Sequence, residues 1–402
     1  MQKENISPNE LEQCIKCTIC TAYCPMVAVR PQYPGPKAAG PDMERYRLKS
    51  EAYFAETLKY CLNCKRCEVA CPSGVKIADM IQEARIEYSN APVKLRDWIL
   101  ANTDFMGSLA SPFAPVVNAI TGLKPAKALM EGVLKIDHRR TFPKYSGEKF
   151  ETWFKKNIQP EGLEKVINYF HGCFVQYNYP QLGKDFVKVC NALGYKVNLL
   201  EGEKCCGVAL VANGMASKAK KNGKNNVAAI EKASAGGQVK TVATSTSCTN
   251  MIRNEYGSLL GIDTSNIKEV VDLATRFVYD EIVNKGAKLK FKEGIALNLA
   301  YHTPCHMESM GWQVYSIEML KLIPGVKLTV LDSNCCGISG TYGFKKENYE
   351  YSQNIGAALF KNIERVNPDF VACDCETCNW QLEMSTSYKV KHPISILAEA
   401  IE

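Results

Sequence analysis

A multidomain α+β chain is predicted, a small helical N-terminal part followed by two repeated α/β modules, and three observations predict it. One cysteine run occurs twice: Cys14, Cys17, Cys20 and Cys24-Pro25, then Cys61, Cys64, Cys67 and Cys71-Pro72. A different pattern, Cys173, Cys205-Cys206-Gly207 and Cys248, returns about 130 residues later as Cys305, Cys335-Cys336-Gly337, Cys375 and Cys378. Between these cysteines, short apolar runs alternate with helical periodicity.

The first run reads C-x2-C-x2-C-x3-C-P, the spacing that holds cubane iron-sulfur clusters. Three thiolates two residues apart can grip one face of a cluster, and the fourth ligates the other cluster of the pair. The expected sets are therefore Cys14, Cys17, Cys20 and Cys71 on one [4Fe-4S] cluster, and Cys61, Cys64, Cys67 and Cys24 on the second. Residues 1–100 are read as a helical ferredoxin-type domain carrying both. Disulfides or zinc are the alternative for these eight cysteines, in a chain with 19 cysteines in 402 residues. The segment Met1 to Pro8 is polar and has no export leader, which points to reduced thiols in the cytoplasm.

Residues 101–160 are expected to connect the domains. Phe105 to Leu123 carries Phe113, Val116, Val117, Ile120 and Leu123 with prolines at 112 and 115. Beyond it, Lys124, Lys127, Lys135, Arg139 and Arg140 accompany Leu129, Met130, Val133, Leu134 and Ile136. Apolar residues beside basic ones suit a helix lying among lipid headgroups. A linker packed on partner subunits is the other reading. No apolar run is long enough to span a bilayer, so any membrane attachment is peripheral.

Residues 161–290 and 291–402 are read as two Cys-Cys-Gly modules. The expected strands are Val166 to Phe170, Lys196 to Leu200 and Val239 to Ala243, then Ile295 to Ala300, Val326 to Leu331 and Phe370 to Ala372. Helical patterns at Gln181 to Leu193, Ala216 to Ala233 and Tyr349 to Arg365 fit crossovers between parallel strands. Ligands gather at the carboxyl ends of such strands, so cysteines distant in sequence should converge there. Gly207 and Gly337 are read as letting the backbone approach a cluster.

The formal net charge of +7 comes from scattered lysines and arginines without a basic block, so nucleic acid is not an expected partner. Nothing resembles a dinucleotide fingerprint, a phosphate loop or a catalytic Ser-His-Asp order, and no catalytic residue is assigned. Redox ligands without a substrate-cofactor site describe an electron conduit.

The doubled run followed by two Cys-Cys-Gly modules resembles the iron-sulfur subunits related to the D-subunit of heterodisulfide reductase and the glycolate oxidase iron-sulfur subunit. Strings outside the cysteine spacing narrow the resemblance: Cys14-Ile15-Lys16-Cys17-Thr18, Asn63-Cys64-Lys65-Arg66-Cys67, Asp137-His138-Arg139-Arg140-Thr141, His171-Gly172-Cys173-Phe174, Tyr301 to Met307 and Gly340 to Tyr349. These look like the C-subunit family of anaerobic glycerol-3-phosphate dehydrogenase.

The resemblance implies flavin-containing partner subunits A and B, and electron delivery to quinone, menaquinone in particular, at the cytoplasmic face of the cell membrane. It also implies a noncubane iron-sulfur cluster on Cys305, Cys335, Cys336, Cys375 and Cys378. In the first module the closing pair reads as broken at Met251. Cys173, Cys205, Cys206 and Cys248 remain, enough for a cubane cluster, or else decayed into buried hydrophobes. Cys190, among Val187, Val189 and Leu193, and Cys373 read as core residues. His171, His302 and His306 are placed to hydrogen-bond cluster sulfur or simply to pack. A glycolate or lactate oxidase subunit and a heterodisulfide-reducing enzyme are the alternatives.

Overall fold

The structure, a computed structural model, describes residues 11–50, 56–88 and 92–402; the Met1 to Pro8 segment lies outside them. In the N-terminal part, short helices Ile19–Ala22, Pro25–Val29, Arg66–Val69 and Ile77–Tyr88 surround a core of Leu11, Met26, Tyr33, Leu58, Ile77 and Ile81. Cys335 and Ile355 of the second module belong to the same core, so this part is fastened to that module.

The apolar connecting stretch folds as three consecutive helices, Thr103–Ala110, Ala114–Gly122 and Lys124–Leu134. The second and third begin with proline in the first turn, where the missing N–H costs no helical bond. Among the described residues no helix is long and apolar enough to cross a membrane. One sequence expectation fails here. Arg140 is 1% exposed, and its guanidinium donates to the Gly343 carbonyl at 2.5 Å, to Ser352 Oγ at 2.8 Å and to Gln381. Arg139 pairs with Asp137 at 2.8 Å and Glu350 at 2.6 Å. These two arginines clamp the connecting segment to the second module and are not free for lipid, because carboxylates and carbonyls brought in by the fold already hold them.

Strands β1 (Lys165–Phe170), β2 (Tyr195–Leu199), β3 (Thr241–Ala243) and β4 (Val271–Leu273) form a parallel sheet in the order β2-β1-β3-β4. Strands β5 (Leu297–Tyr301), β6 (Val326–Val330), β7 (Phe370–Ala372) and β8 (Val390–Lys391) repeat it as β6-β5-β7-β8. The edge strands β4 and β8 are not expected from sequence; they have only three and two residues and give no periodic signal. Crossover helices Pro180–Ala192, Ala216–Ala233 and Tyr349–Val366 lie where periodicity places them.

The two modules share one core. Ile167, Tyr169, Phe186 and Val242 of the first pack with Leu299, Tyr301, Met319 and Leu397 of the second, and Cys190 is buried among them. Tyr169 pairs with Val242 and Tyr301 with Ala372 across the parallel ladders. Their hydroxyls reach the residue two places further on, Thr244 at 3.0 Å and Asp374 at 2.8 Å. The tyrosines therefore fix how the modules correspond. Counting from them, Cys173 matches Cys305, Ser245 matches Cys375 and Cys248 matches Cys378. Ser245 and Cys375 also occupy the same N-cap position of the helices Thr246–Asn250 and Glu376–Ser385. The thiol absent from the first module is thus the one at Ser245, not at Met251, which is a fully buried core residue. Sequence spacing misleads because Cys248 falls at the second position of the pair.

Candidate metal centres and the cavity between them

The two N-terminal loops share a backbone device. Lys16 and Thr18 flank Cys17, Asn63 and Lys65 flank Cys64, and all four are left-handed, with φ of 59°, 64°, 53° and 60°. Non-glycine residues there cost about 1–3 kcal/mol each unless the surroundings enforce them. Alternating the backbone this way turns three successive thiols to one side of each loop. That strain, with donors that are all sulfur, fits a group gripped by the loop. Cys20 has Cys14, Cys71 and Cys17 as charge neighbours, and burial raises its thiol above the usual range. Cys24 has Cys61 and Cys335, and burial pushes it up to about 11. The fourth cysteine of each run thus stands with the other run's thiols.

The second loop is anchored on both modules. Lys65, 4% exposed, pairs with Asp79 and, at 3.2 Å, with Glu255. Asn63 donates to Glu255 at 2.9 Å, and Arg66 reaches Glu308 at 3.2 Å and Ser333 Oγ at 2.9 Å. His306 lies between them, its Nε2 donating to the Asn63 carbonyl at 3.2 Å and its Nδ1 meeting Ser247 Oγ at 3.3 Å. Its role is to tie the N-terminal loop to the two modules.

In the first module the ends of β1 and β3 and the loop after β2 bring Cys173, Cys205, Cys206 and Cys248 together, each thiol in contact with the next. Asp104 enters from the connecting segment, accepts the Cys205 N–H at 2.8 Å and lies within 4.8 Å of the Cys173 and Cys205 sulfurs. Burial pushes its carboxyl up to about 6. No sequence signal marks Asp104, because only the fold brings it there. Beneath the loop, Glu203 accepts backbone N–H groups of His171 at 3.2 Å and Gly172 at 2.7 Å. Burial opposes the His171 charge, but Glu203 and Glu151 raise its pKa to about 9.

In the second module Cys336 Sγ is 3.1 Å from Cys378 Sγ, and Cys305 and Cys375 contact Cys335 and Cys378. Cys373 has a second neighbourhood that the sequence does not reveal. It is buried in an apolar core with Ala300, Leu359, Val371 and Leu382, and its sulfur also lies within 4.8 Å of Cys378 and of a His302 ring nitrogen. Gly337 has φ of 87°, and a Cβ there would sit 2.0 Å from the Ser352 carbonyl. Its glycine is therefore required by the crossing helix, whatever occupies the centre.

Both thiol clusters open onto one cavity of about 1080 Å³. Cys64, Cys305, Cys335, Cys336, Cys375 and Cys378 line one side, and Cys173, Cys205, Cys206 and Cys248 another. The connecting helices add an apolar stretch of wall, through Met106, Val117, Met130 and Leu134, and Arg85, Arg96, Lys345 and Glu347 add a charged one. The outer faces of those helices are bare: Phe105, Leu109, Phe113, Val116, Ile120, Leu123, Leu129 and Val133 are each more than half exposed.

A loop-gripped pair of four-thiol sets beside two thiol-rich parallel α/β modules defines a dicluster iron-sulfur protein. The family profiles agree: a 4Fe-4S dicluster domain matches residues 10–75, and a Cysteine-rich domain matches 167–253 and 299–383. The chain belongs to the C-subunit family of anaerobic glycerol-3-phosphate dehydrogenase, being 53% identical to that subunit of Escherichia coli K12 over 98% of this chain and 100% of the relative. It is also 24% identical to the D-subunit of the dihydromethanophenazine:CoB–CoM heterodisulfide reductase of Methanosarcina barkeri, over 98% of this chain and 94% of that one. The B-subunit of the fumarate reductase (CoM/CoB) of Methanothermobacter marburgensis is 24% identical over 94% of this chain and 68% of its own length.

Proposed function

We propose that this chain is the electron-carrying subunit of an anaerobic glycerol-3-phosphate dehydrogenase, taking electrons from flavin-containing subunits A and B and passing them to quinone, menaquinone in particular, at the membrane. The observation that carries the reading is the contact between thiol sets: Cys335 is a charge neighbour of both Cys24 and Cys64, and Cys64 shares the cavity wall with Cys305. A route runs from the set of Cys14, Cys17, Cys20 and Cys71, whose Cys17 is exposed, through Cys61, Cys64, Cys67 and Cys24 to the second module. There Cys305, Cys335, Cys336, Cys375 and Cys378 hold a noncubane cluster, and Cys173, Cys205, Cys206 and Cys248 hold a further [4Fe-4S] cluster in the first. Iron supplies the one-electron chemistry. The protein's residues bury the thiolates and fix their orientation, and both tune potential.

The apolar outer face of the connecting helices lies on lipid and its inner face lines the quinone site. Among the described residues no carboxylate is within ion-pair reach of Lys124 or Lys127 on these helices, which leaves both free for anionic headgroups. The test is a comparison of acceptors. With this subunit removed, the flavin-containing partners should still reduce a soluble dye with glycerol 3-phosphate, and quinone reduction should disappear. Quinone reduction at the full rate without it would refute the reading.

The exchange of fourth ligands makes a narrower expectation. Cys24→Ser should damage the cluster held by Cys61, Cys64 and Cys67 and spare the one at Cys14, Cys17 and Cys20, as followed by EPR of the reduced protein. Loss of only the latter would show that each run closes its own cluster.

A further inference from the structure

His302 follows β5 and Cys373 follows β7, and these strands are neighbours in the second sheet. The His302 backbone N–H donates to the Ala372 carbonyl at 3.0 Å, which sets its ring beside the Cys373 thiol. The ring is fully buried, and neither of its nitrogens has a hydrogen-bond partner. Leaving a buried polar atom unpaired costs about 1–3 kcal/mol, so a ring with both nitrogens bare calls for a partner. A His302 ring nitrogen, Cys373 Sγ and Cys378 Sγ lie within 4.8 Å of one another, close to the spread of donors sharing one ion with bonds of about 2.0–2.3 Å.

The first module supplies an internal control. Counting from Tyr169 and Tyr301, the residues matching His302 and Cys373 are Phe170 and Ala243, and both pack in the apolar core of that module. The same strand ends thus carry an apolar pair in one module and an imidazole-thiol pair in the other. Packing alone is satisfied without nitrogen or sulfur at these positions.

We propose that His302 and Cys373 are metal-binding residues of the second module's centre, joining Cys378 to present an imidazole-dithiolate edge that the five-cysteine pattern does not contain. Imidazole and thiolate together suit iron, and the edge gives one iron of the centre surroundings unlike the rest. The inference rests on the reading of the second module as an iron-sulfur site.

The test uses the full chain loaded with iron under anaerobic conditions, comparing wild type with His302→Phe and Cys373→Ala, substitutions that copy what the first module already accommodates. Pulsed EPR of the wild type should show a directly bound ring nitrogen, and His302→Phe should abolish that coupling. Cys373→Ala should alter the Mössbauer pattern of the second centre and lower iron by up to one atom per chain. Wild-type iron content and spectra in both variants would overturn the proposal. Cys335→Ala separates the two levels: if it loses iron while the other variants do not, only this inference fails, and if it also loses none, the second module is not an iron site and both fail.

Discussion

Placing three glutamates on the exposed face of the connecting helices, Phe113→Glu, Val116→Glu and Ile120→Glu together, should release the protein from vesicles containing anionic lipid, with partitioning reduced by at least about fiftyfold. A large apolar side chain taken wholly out of water contributes about 1.5–3 kcal/mol, and these are little more than half exposed, so the three contribute roughly 2.5–5 kcal/mol. Each 1.4 kcal/mol is tenfold in partitioning. The fold should survive, because these residues are 63%, 59% and 51% exposed. Lys124→Glu with Lys127→Glu should weaken binding less, at about 1 kcal/mol per charge removed from an anionic surface, and reduce its dependence on salt, because fewer attractive charges remain to be screened. Cosedimentation measures both. If the triple variant keeps its affinity for vesicles but no longer copurifies with partner subunits, the face is a protein interface and the lipid reading falls.

Arg140→Met should lower the reduction potential of the second module's centre and destabilise the fold at the same time. The guanidinium is buried against the Gly343 carbonyl, Ser352 and Gln381, and among the described residues no carboxylate lies within ion-pair reach of it. Burial pushes its pKa down to about 10, and Cys336 is among the groups that oppose the fall. A cation held this way by neutral acceptors offsets the negative charge of a thiolate-ligated centre. Methionine fills much of the volume without the charge. If about 1.4 kcal/mol of attraction is lost, the one-electron potential falls by roughly 60 mV. Unpairing the Gly343 carbonyl and the Gln381 amide oxygen should cost about 1–3 kcal/mol each. Redox titration followed by EPR, with denaturant unfolding alongside, separates the effects. A stability loss with unchanged potential would reduce Arg140 to a structural clamp.

Much of this molecule is legible in the order of its residues. The doubled cysteine run is local chemistry, since two intervening residues between thiols leave few geometries, and the left-handed residues on either side of Cys17 and Cys64 are how the backbone meets that demand. The strands and crossover helices around Cys205, Cys335 and their partners are legible because burial on both faces of a parallel sheet writes continuous apolar runs.

Residues whose meaning depends on a neighbour distant in the chain are not legible in this way. Basic composition puts Arg139 and Arg140 on lipid, whereas Asp137 and Glu350 pair with Arg139 at the surface and Gly343 holds Arg140 inside. Spacing puts the first module's missing thiol at Met251, whereas the parallel register through Tyr169 and Tyr301 puts it at Ser245. Apolar context makes Cys373 a core residue, which it is, but only the pairing of β5 with β7 sets it beside His302 as well. The class of cofactor and the repeated α/β plan follow from the residue order alone, because ligand spacing and hydrophobic period are encoded within short windows. Which thiol sets touch, that the connecting helices wall a cavity shared by both modules, and which charges are spent internally emerge only in the folded chain. These depend on contacts between segments up to a few hundred residues apart, such as Asn63 with Glu255 and Arg66 with Glu308.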